Sequence, residues 1–153
     1  MFALLTLFAG LGITAGQTER SLARVAEPRP NILFILADDM KARDLDHMPN
    51  TQDLLVKQGV DFTKPWVTRS LCCPSRATIL RGQYAHNHKV WTNVNPSGGF
   101  WRFYDDKREN STIATWLNGA GYDTILIGKY LNRYGLDRDG KPRSKHARAA
   151  GLG

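Results

Sequence analysis

The hydrophobic residues of this chain fall into short runs that polar and glycine-rich stretches separate. A continuous apolar run at residues 32–37 has the length of a β-strand that is covered on both faces. Residues 60–68 alternate well enough for a second strand, although Pro65 places it at an edge or at a bulge. The apolar run at residues 123–127 predicts a third strand. These runs indicate the strands of a sheet.

Helical patterns lie between the predicted strands. Residues 51–59 predict a short helix that ends at Gly59. Residues 74–80 predict a second helix, which begins with a proline suited to a first turn and ends before Gly82. Cys72 therefore lies just before a helix.

A third helix is predicted at residues 113–120, where apolar side chains recur at three- and four-residue spacing and Asn110 or Ser111 provides the cap. Before it, residues 84–107 are irregular and predict a long loop or a pair of weak strands, and loops of that length are usually functional. The alternation of strand, helix and strand predicts an α/β fold, with a doubly wound and mostly parallel sheet that carries helices on both faces.

The two ends of the chain differ in composition from the middle. Residues 1–16 are apolar and end in small residues, which predicts a secretory signal peptide and a secreted or periplasmic protein. The run is too short to span a bilayer stably, and the alternative is a partly buried N-terminal segment of a cytoplasmic protein. Residues 17–29 predict a polar linker, and residues 136–153 predict a basic, disordered tail.

The net charge of +7 suits a polyanionic partner such as nucleic acid or a sulfated glycan. Residues 133–153 contain six Lys or Arg and two Asp or Glu, so this segment alone supplies +4. The predicted signal peptide argues against nucleic acid as the partner. The two cysteines, Cys72 and Cys73, are adjacent, which excludes a disulfide framework and a four-ligand zinc site.

Polar residues follow two of the predicted strands and begin a predicted helix. They are Asp38, Asp39, Cys72, Arg76 and Lys129. Because ligands gather at the carboxyl ends of parallel strands, we expect these side chains to lie close together. Taken one at a time they have simpler interpretations, namely a solvated turn for the aspartates, a small buried residue for the cysteine and surface charges for the two cations.

The residue types at this edge indicate two kinds of ligand. Two adjacent carboxylates are stabilised by a hard divalent cation, and oxygen ligands favour calcium or magnesium. Cys72 at a helix start, with Arg76 and Lys129 nearby, suits a tetrahedral oxyanion such as phosphate or sulfate.

The segment CCPSR at residues 72–76 resembles the sulfatase signature Cys-x-Pro-Ser-Arg, whose first cysteine is converted to formylglycine. Other motifs of the family appear in the expected order: PNILFILADD at residues 30–39, MPNTQDLL at 48–55 and GYDTILIGKY at 121–130. The chain is therefore identified as a member of the sulfatase family over residues 30–135. The motifs CCPSR, GQYAHNH and GKYLNRYG are most similar to the glucosamine-6-sulfatase and related bacterial branch.

The resemblance implies an alkaline-phosphatase-like fold and hydrolysis of the sulfate esters of sugars or aryl alcohols. Asp38, Asp39 and Cys72 would contact a calcium ion. A formylglycine-generating enzyme would convert Cys72 to an aldehyde, whose hydrate would attack the sulfur and whose second hydroxyl would then expel sulfate. Arg76 and Lys129 would bind the sulfate oxygens and offset the charge of the transition state.

The proton donor to the leaving group departs from the pattern of many arylsulfatases. They carry a histidine two residues after the lysine, where this chain has Leu131. His86 and His88 are candidate replacements, although surface imidazoles are an equal alternative. Their spacing would put them on opposite faces of a strand, so one of them, taken as His86, is expected to reach the substrate.

The length of the chain is the larger departure. Sulfatases run to several hundred residues and complete their metal site with later residues, so the sequence predicts the N-terminal part of a catalytic domain with an incomplete sheet. The alternative is a catalytically dead fragment that binds anions or glycans through Arg76, Lys129 and the basic tail. A phosphatase or phosphodiesterase is disfavoured because those relatives generally use Ser or Thr as the nucleophile.

Overall fold

The computed structural model describes residues 29–143 and divides the chain into two compact units, Met1–Ile35 and Leu36–Gly153. The predicted signal peptide at residues 1–16, nearly all of the predicted linker and residues 144–153 of the predicted tail lie outside the described residues. In the first unit only residues 29–35 are described, and they are exposed. Every element named below belongs to the second unit.

The second unit begins with short helical segments. A 3₁₀ helix at Ala42–His47 leads into α1 at Pro49–Thr51, which starts with a proline and continues as a π-helical turn at Gln52–Val56. The helix predicted at residues 51–59 is therefore confirmed, with its start at Pro49 instead of Thr51.

Helix α2 at Cys72–Arg81 carries the motif residues. Gly82 ends it in the left-handed conformation, with φ of 59°, which a glycine adopts without steric cost. Cys73, Pro74 and Ala77 are its buried residues. The predicted helix at residues 74–80 is confirmed, and it begins earlier, so that Cys72 is its first residue.

Three further α-helices follow in the described residues, namely α3 at Ala85–His88, α4 at Gly99–Asp105 and α5 at Ile113–Gly119. A 3₁₀ helix at Arg108–Asn110 lies between α4 and α5. The prediction of a long loop or weak strands at residues 84–107 is wrong in part, because α3 and α4 lie within it. The α5 prediction is confirmed, but Thr112 provides the cap by accepting a hydrogen bond from the Thr115 backbone N–H at 3.3 Å.

The core of the second unit lies where α2 contacts α3, α4 and α5. Aromatic rings fill much of it, with Phe100 edge-on to Trp101 and Tyr134 at centroid separations of 5.2 and 5.1 Å. The buried hydrophobic residues of this cluster are Cys73, Ala77, Val90, Phe100, Trp101, Phe103, Tyr130 and Leu131. The core therefore fixes α2 and the residues just after Lys129 in one body.

The predicted strands at residues 32–37, 60–68 and 123–127 are not formed in the part of the chain that the structure describes. A strand needs a neighbour to satisfy its backbone hydrogen bonds and a layer to cover its apolar face. Here the side chains of Leu33 and Ile127 are 86% and 94% exposed. These runs have the composition of strands, but the described residues provide neither a partner strand nor a layer that covers them. The doubly wound sheet stays a prediction.

The described part of the predicted tail, residues 136–143, contacts α4. Residues 136–142 form a turn that is closed by an isolated bridge between Leu136 and Pro142. Arg138 bonds both oxygens of Asp105, at 2.9 and 2.7 Å, and its guanidinium lies 4.6 Å from the ring centre of Trp101. These contacts attach the turn to α4.

Candidate active site

Cys72 and Cys73 have different environments at the start of α2. Cys72 is partly exposed, and its Sγ lies 3.9 Å from Oδ1 of Asp39. Cys73 is fully buried, and this burial raises the pKa of its thiol to about 11. Cys72 therefore faces the site, and Cys73 is a core residue.

Asp38 and Asp39 diverge at a tight turn. Asp39 has a φ of 53°, a left-handed conformation that aspartate tolerates better than most residues. The turn brings Asp39 to Cys72, whereas Asp38 contacts the two basic residues Arg76 and Lys129. The adjacent carboxylates thus serve two different sets of neighbours.

Arg76 and Lys129 both bind Asp38. The Arg76 guanidinium, one turn along α2 from Cys72, lies 3.2 Å from Oδ1 of Asp38 and donates a second hydrogen bond of 2.6 Å to the backbone carbonyl of Lys129. The Lys129 ammonium group donates to Oδ2 of Asp38. The hydrogen bonds from Lys129 and Arg76 hold the pKa of Asp38 below its ordinary value, and the bond to Asp38 raises the pKa of Lys129.

An open pocket adjoins these residues. Its volume is about 250 Å³, and its lining includes Ser70, Ser75 and Val67 beside the motif residues. The pocket is part polar and part apolar in lining, as expected where a charged group and a carbon skeleton enter together. The members of the lining are Leu36, Ala37, Asp38, Asp39, Met40, Val67, Ser70, Cys72, Ser75 and Arg76.

Asp38, Asp39 and Cys72 could hold a metal ion, because one ligand atom from each lies within 4.8 Å of the others. The two carboxylates fit a hard cation such as Ca²⁺ in donor type. A thiol does not, since sulfur favours softer metals, whereas an oxygen at the position of the Cys72 side chain would give an all-oxygen set. The three residues therefore fit part of a calcium site, which takes six to eight ligands in proteins.

His86 and His88 lie on α3 and not on a strand, so the reasoning from strand faces was wrong. His86 is exposed, stacks on Tyr84 at 5.6 Å between ring centres and does not line the pocket. His88 is buried, with Nδ1 accepting the backbone N–H of Val90 at 3.1 Å and Nε2 3.0 Å from Oγ1 of Thr78. Burial lowers its pKa to about 4, so it is a neutral structural residue.

Sequence reasoning missed Asn93, whose Oδ1 accepts the backbone N–H of Cys73 at 2.8 Å. It lies 20 residues after Cys73 in a stretch rich in Asn and Gly. A side chain that bonds a helix end from a distant loop leaves no periodic signal in the sequence. Leu131, two residues after Lys129, is buried in the core and has no proton to donate.

Across residues 29–143, no helix has the length and apolar character that crossing a membrane requires.

A family model described as Sulfatase matches residues 30–145. An extracellular sulfatase homologue of Caenorhabditis elegans is 44% identical over 107 residues, which cover 68% of this chain and 15% of that protein. An extracellular sulfatase homologue of Drosophila melanogaster is 40% identical over 124 residues, which cover 79% of this chain and 11% of that protein. No solved structure matches.

Human N-acetylglucosamine-6-sulfatase is 36% identical over 110 residues, which cover 70% of this chain and 20% of that enzyme. Its presence among the relatives confirms the resemblance to the glucosamine-6-sulfatase branch that the motifs predict. The chain spans between 11% and 20% of the length of these three relatives. Because the family model matches well over half of the residues, the protein belongs to the sulfatase family.

Proposed function

We propose that this chain supplies the nucleophile, the sulfate-binding cations and part of the calcium site of a sulfate ester hydrolase. Cys72, converted to formylglycine, is the nucleophile, and Arg76 and Lys129 bind the sulfate group. Asp38, Asp39 and the converted Cys72 are the calcium ligands. The observation that carries the proposal is the convergence of these five side chains from three separate stretches of sequence.

The sulfate-binding role rests on how the two cations meet one carboxylate. Arg76 and Lys129 each bind a different oxygen of Asp38, so together they provide two cationic donors for one oxyanion. A sulfate group presents its oxygens to the same donors through charge-assisted hydrogen bonds. The same contacts stabilise the negative charge that develops as the ester bond breaks.

Cys72 is the residue of the pair that suits modification. Its side chain is partly exposed and lies beside Asp39, whereas Cys73 is closed inside the core. When present, the hydrated aldehyde supplies an oxygen nucleophile and a second hydroxyl group, which a thiol lacks. The proposal therefore requires a formylglycine-generating enzyme as a partner in the cell.

Calcium binding would change the partners of Asp38. Bound calcium supplies Lewis-acid polarisation of the sulfate group. If Asp38 turned its oxygens to the metal, Arg76 and Lys129 would lose their shared carboxylate partner and could bind the substrate in its place. The chain thus couples metal binding to the availability of its two cations.

The substrate class and location follow from the relatives. Family membership implies an alkaline-phosphatase-like α/β fold, and we propose that the apolar runs at residues 32–37, 60–68 and 123–127 join its doubly wound sheet. We propose a sulfated sugar or aryl sulfate as substrate and a secreted or periplasmic location, since relatives are named N-acetylglucosamine-6-sulfatase, arylsulfatase and extracellular sulfatase.

The test combines mass spectrometry with turnover. The full chain is co-expressed with a formylglycine-generating enzyme, and Cys72 is examined for the mass loss that conversion of a thiol to an aldehyde produces. Hydrolysis of 4-nitrophenyl sulfate is then measured with calcium and with a chelator. Cys72→Ala removes the nucleophile, and Cys73→Ala is the matched control because it changes the neighbouring cysteine inside the core.

Conversion with calcium-dependent turnover that Cys72→Ala abolishes and Cys73→Ala retains supports the proposal. Conversion without turnover, or an unmodified Cys72, overturns hydrolysis by this chain. Binding of 6-sulfated N-acetylglucosamine in that case, measured by calorimetry, favours the alternative of an anion- or glycan-binding module that uses Arg76 and Lys129.

A further inference from the structure

The first turn of α2 lacks the side-chain cap that helices usually carry. Its N-cap residue is Leu71, which has no side chain able to accept a hydrogen bond. Pro74 has no backbone N–H, and the N–H of Ser75 donates to the Leu71 carbonyl at 2.9 Å. The N–H of Cys73 is the group that an N-cap side chain ordinarily binds, and nothing within the helix binds it.

Asn93 provides this missing contact. Its Oδ1 accepts the Cys73 N–H at 2.8 Å in a part-buried position. Asparagine is among the preferred capping residues because its amide oxygen is a short, well-directed acceptor. Here it acts from a loop 20 residues away instead of from the position before the helix.

The loop that carries Asn93 is held on both sides of it. The backbone N–H groups of Trp91 and Thr92 donate to the Ser97 carbonyl at 2.7 and 3.3 Å. The Thr92 hydroxyl donates to the Val94 carbonyl at 2.6 Å. Gly98 passes so close to Thr92 that a Cβ on it would lie 1.8 Å from the Thr92 carbonyl oxygen.

We propose that Asn93 is a positioning residue that holds Cys72 in place by capping α2 from this loop, an inference whose effect on turnover rests on the proposed function. Cys72 is bonded directly to Cys73, and the core holds Cys73 on its side-chain face. The Asn93 bond fixes Cys73 on its backbone face. The Cys72 side chain contacts two exposed residues, Asp39 at 3.9 Å and Lys129, whereas its backbone is fixed through the anchored Cys73.

The direct test measures amide hydrogen exchange in the full chain. The exchange is monitored by NMR on ¹⁵N-labelled protein. We expect Asn93→Ala to lower the protection of the Cys73 amide at least ~10-fold. Asn93→Asp keeps an acceptor oxygen and should restore the protection. Asn87→Ala is the matched control, because it removes an exposed asparagine on α3 that lies outside the loop.

Turnover separates positioning from a loss of stability. In the converted protein we expect Asn93→Ala to lower kcat for 4-nitrophenyl sulfate by ~10- to ~100-fold with little change in KM, since small displacements of a reacting group are costly. Gly82→Ala destabilises the same helix at its other end, because its φ of 59° strains any residue with a Cβ. It should leave kcat unchanged at temperatures where the protein stays folded.

Different outcomes test the capping role of Asn93 and the proposed function of the chain. Unchanged protection of the Cys73 amide in Asn93→Ala overturns the cap, whether or not the protein turns over. Equal losses of kcat in Asn93→Ala and Gly82→Ala reduce Asn93 to a residue that only stabilises the fold. Wild-type protein without turnover but with an Asn93-dependent Cys73 amide overturns the proposed function and keeps the cap.

Discussion

The Lys129 ammonium group binds the Asp38 carboxylate across 91 residues of sequence. Arg76 binds the other oxygen of the same carboxylate and also the backbone of Lys129, so the three residues form one closed set of contacts. This set of contacts joins the turn after the apolar run at residues 32–37, helix α2, and the segment that follows the apolar run at residues 123–127. Its chemistry is that of an oxyanion held by two cations.

Because Asp38 competes with any other oxyanion for these cations, its removal should improve anion binding. We expect Asp38→Asn to tighten the binding of inorganic sulfate to the calcium-free protein by about threefold, the scale of exposed ion pairs. Isothermal titration calorimetry measures the affinity. Asp53→Asn is the control, since Asp53 forms an exposed pair of 2.5 Å with Lys57 within one helical segment. Weaker sulfate binding in Asp38→Asn would contradict the competition.

Arg76 is expected to contribute to turnover through the developing charge of the sulfate group. Arg76→Ala should lower kcat/KM for 4-nitrophenyl sulfate at least ~100-fold. The kcat/KM of Arg76→Lys should lie between those of the wild type and Arg76→Ala, since lysine keeps the charge but lacks the planar guanidinium donors. Steady-state kinetics on converted protein measure both. Arg43→Ala, which changes an exposed arginine in the 3₁₀ segment Ala42–His47, should match the wild type. Full activity in Arg76→Ala would remove Arg76 from the site.

His88 should make the stability of the protein depend on pH. Its pKa is lowered from 6.5 to about 4 by burial, with Arg108, Arg81 and His86 as the charged or titratable neighbours that act on it. Between these pH values the unfolded chain binds a proton that the folded protein does not, so stability falls as the pH decreases.

The expected loss is about 2 kcal/mol of unfolding free energy from pH 6.5 to pH 5, measured by urea unfolding. His88→Gln should flatten this dependence, because glutamine does not titrate. His47→Gln changes an exposed histidine and should keep the wild-type slope. An unchanged slope in His88→Gln would assign the pH dependence to other groups.

Glu109 is a buried carboxyl group that accepts a hydrogen bond of 3.2 Å from the Tyr130 hydroxyl. Burial raises the pKa of Glu109, so ionising this carboxyl group costs more free energy in the folded protein than in the unfolded chain. We expect Glu109→Gln to raise the free energy of unfolding at pH 7 by about 1 kcal/mol, because the amide oxygen still accepts the Tyr130 bond.

Tyr130→Phe should have the opposite effect, a loss of about 1–3 kcal/mol, since it leaves a buried acceptor without a donor. Urea unfolding at pH 7 measures both variants. Tyr104→Phe removes the hydroxyl of a more exposed ring that also packs on Phe100 and should change the stability little. A stabilising Tyr130→Phe would show that the bond is not needed in the core.

Much of the helical structure could be read from the chain, because capping and turn chemistry are local. Gly82 ends α2 through its left-handed φ, and the apolar spacing after residue 110 predicts α5. The predicted strands are not formed in the described residues, because a strand is not a local structure. Residues 123–127 have the right composition, but a strand forms only when a partner meets its backbone.

The convergence of the site residues was also predicted, since Asp38, Asp39, Cys72, Arg76 and Lys129 were expected at one edge and do lie together. Their roles in binding a hard cation and an oxyanion stay a prediction. His86 was less predictable: the sequence places it near the motif helix, but its helix α3 turns it toward Tyr84. Proximity in sequence does not set the direction of a side chain, which the packing of each element decides.

Residue identity and interactions within one turn were enough to establish the family, the motif residues and the helix predicted at residues 74–80. The tertiary structure decided which cation meets which carboxylate and that Asn93 caps α2. Contacts between residues 20 to 91 positions apart depend on how the helices pack around the core, and packing is not encoded in any local pattern.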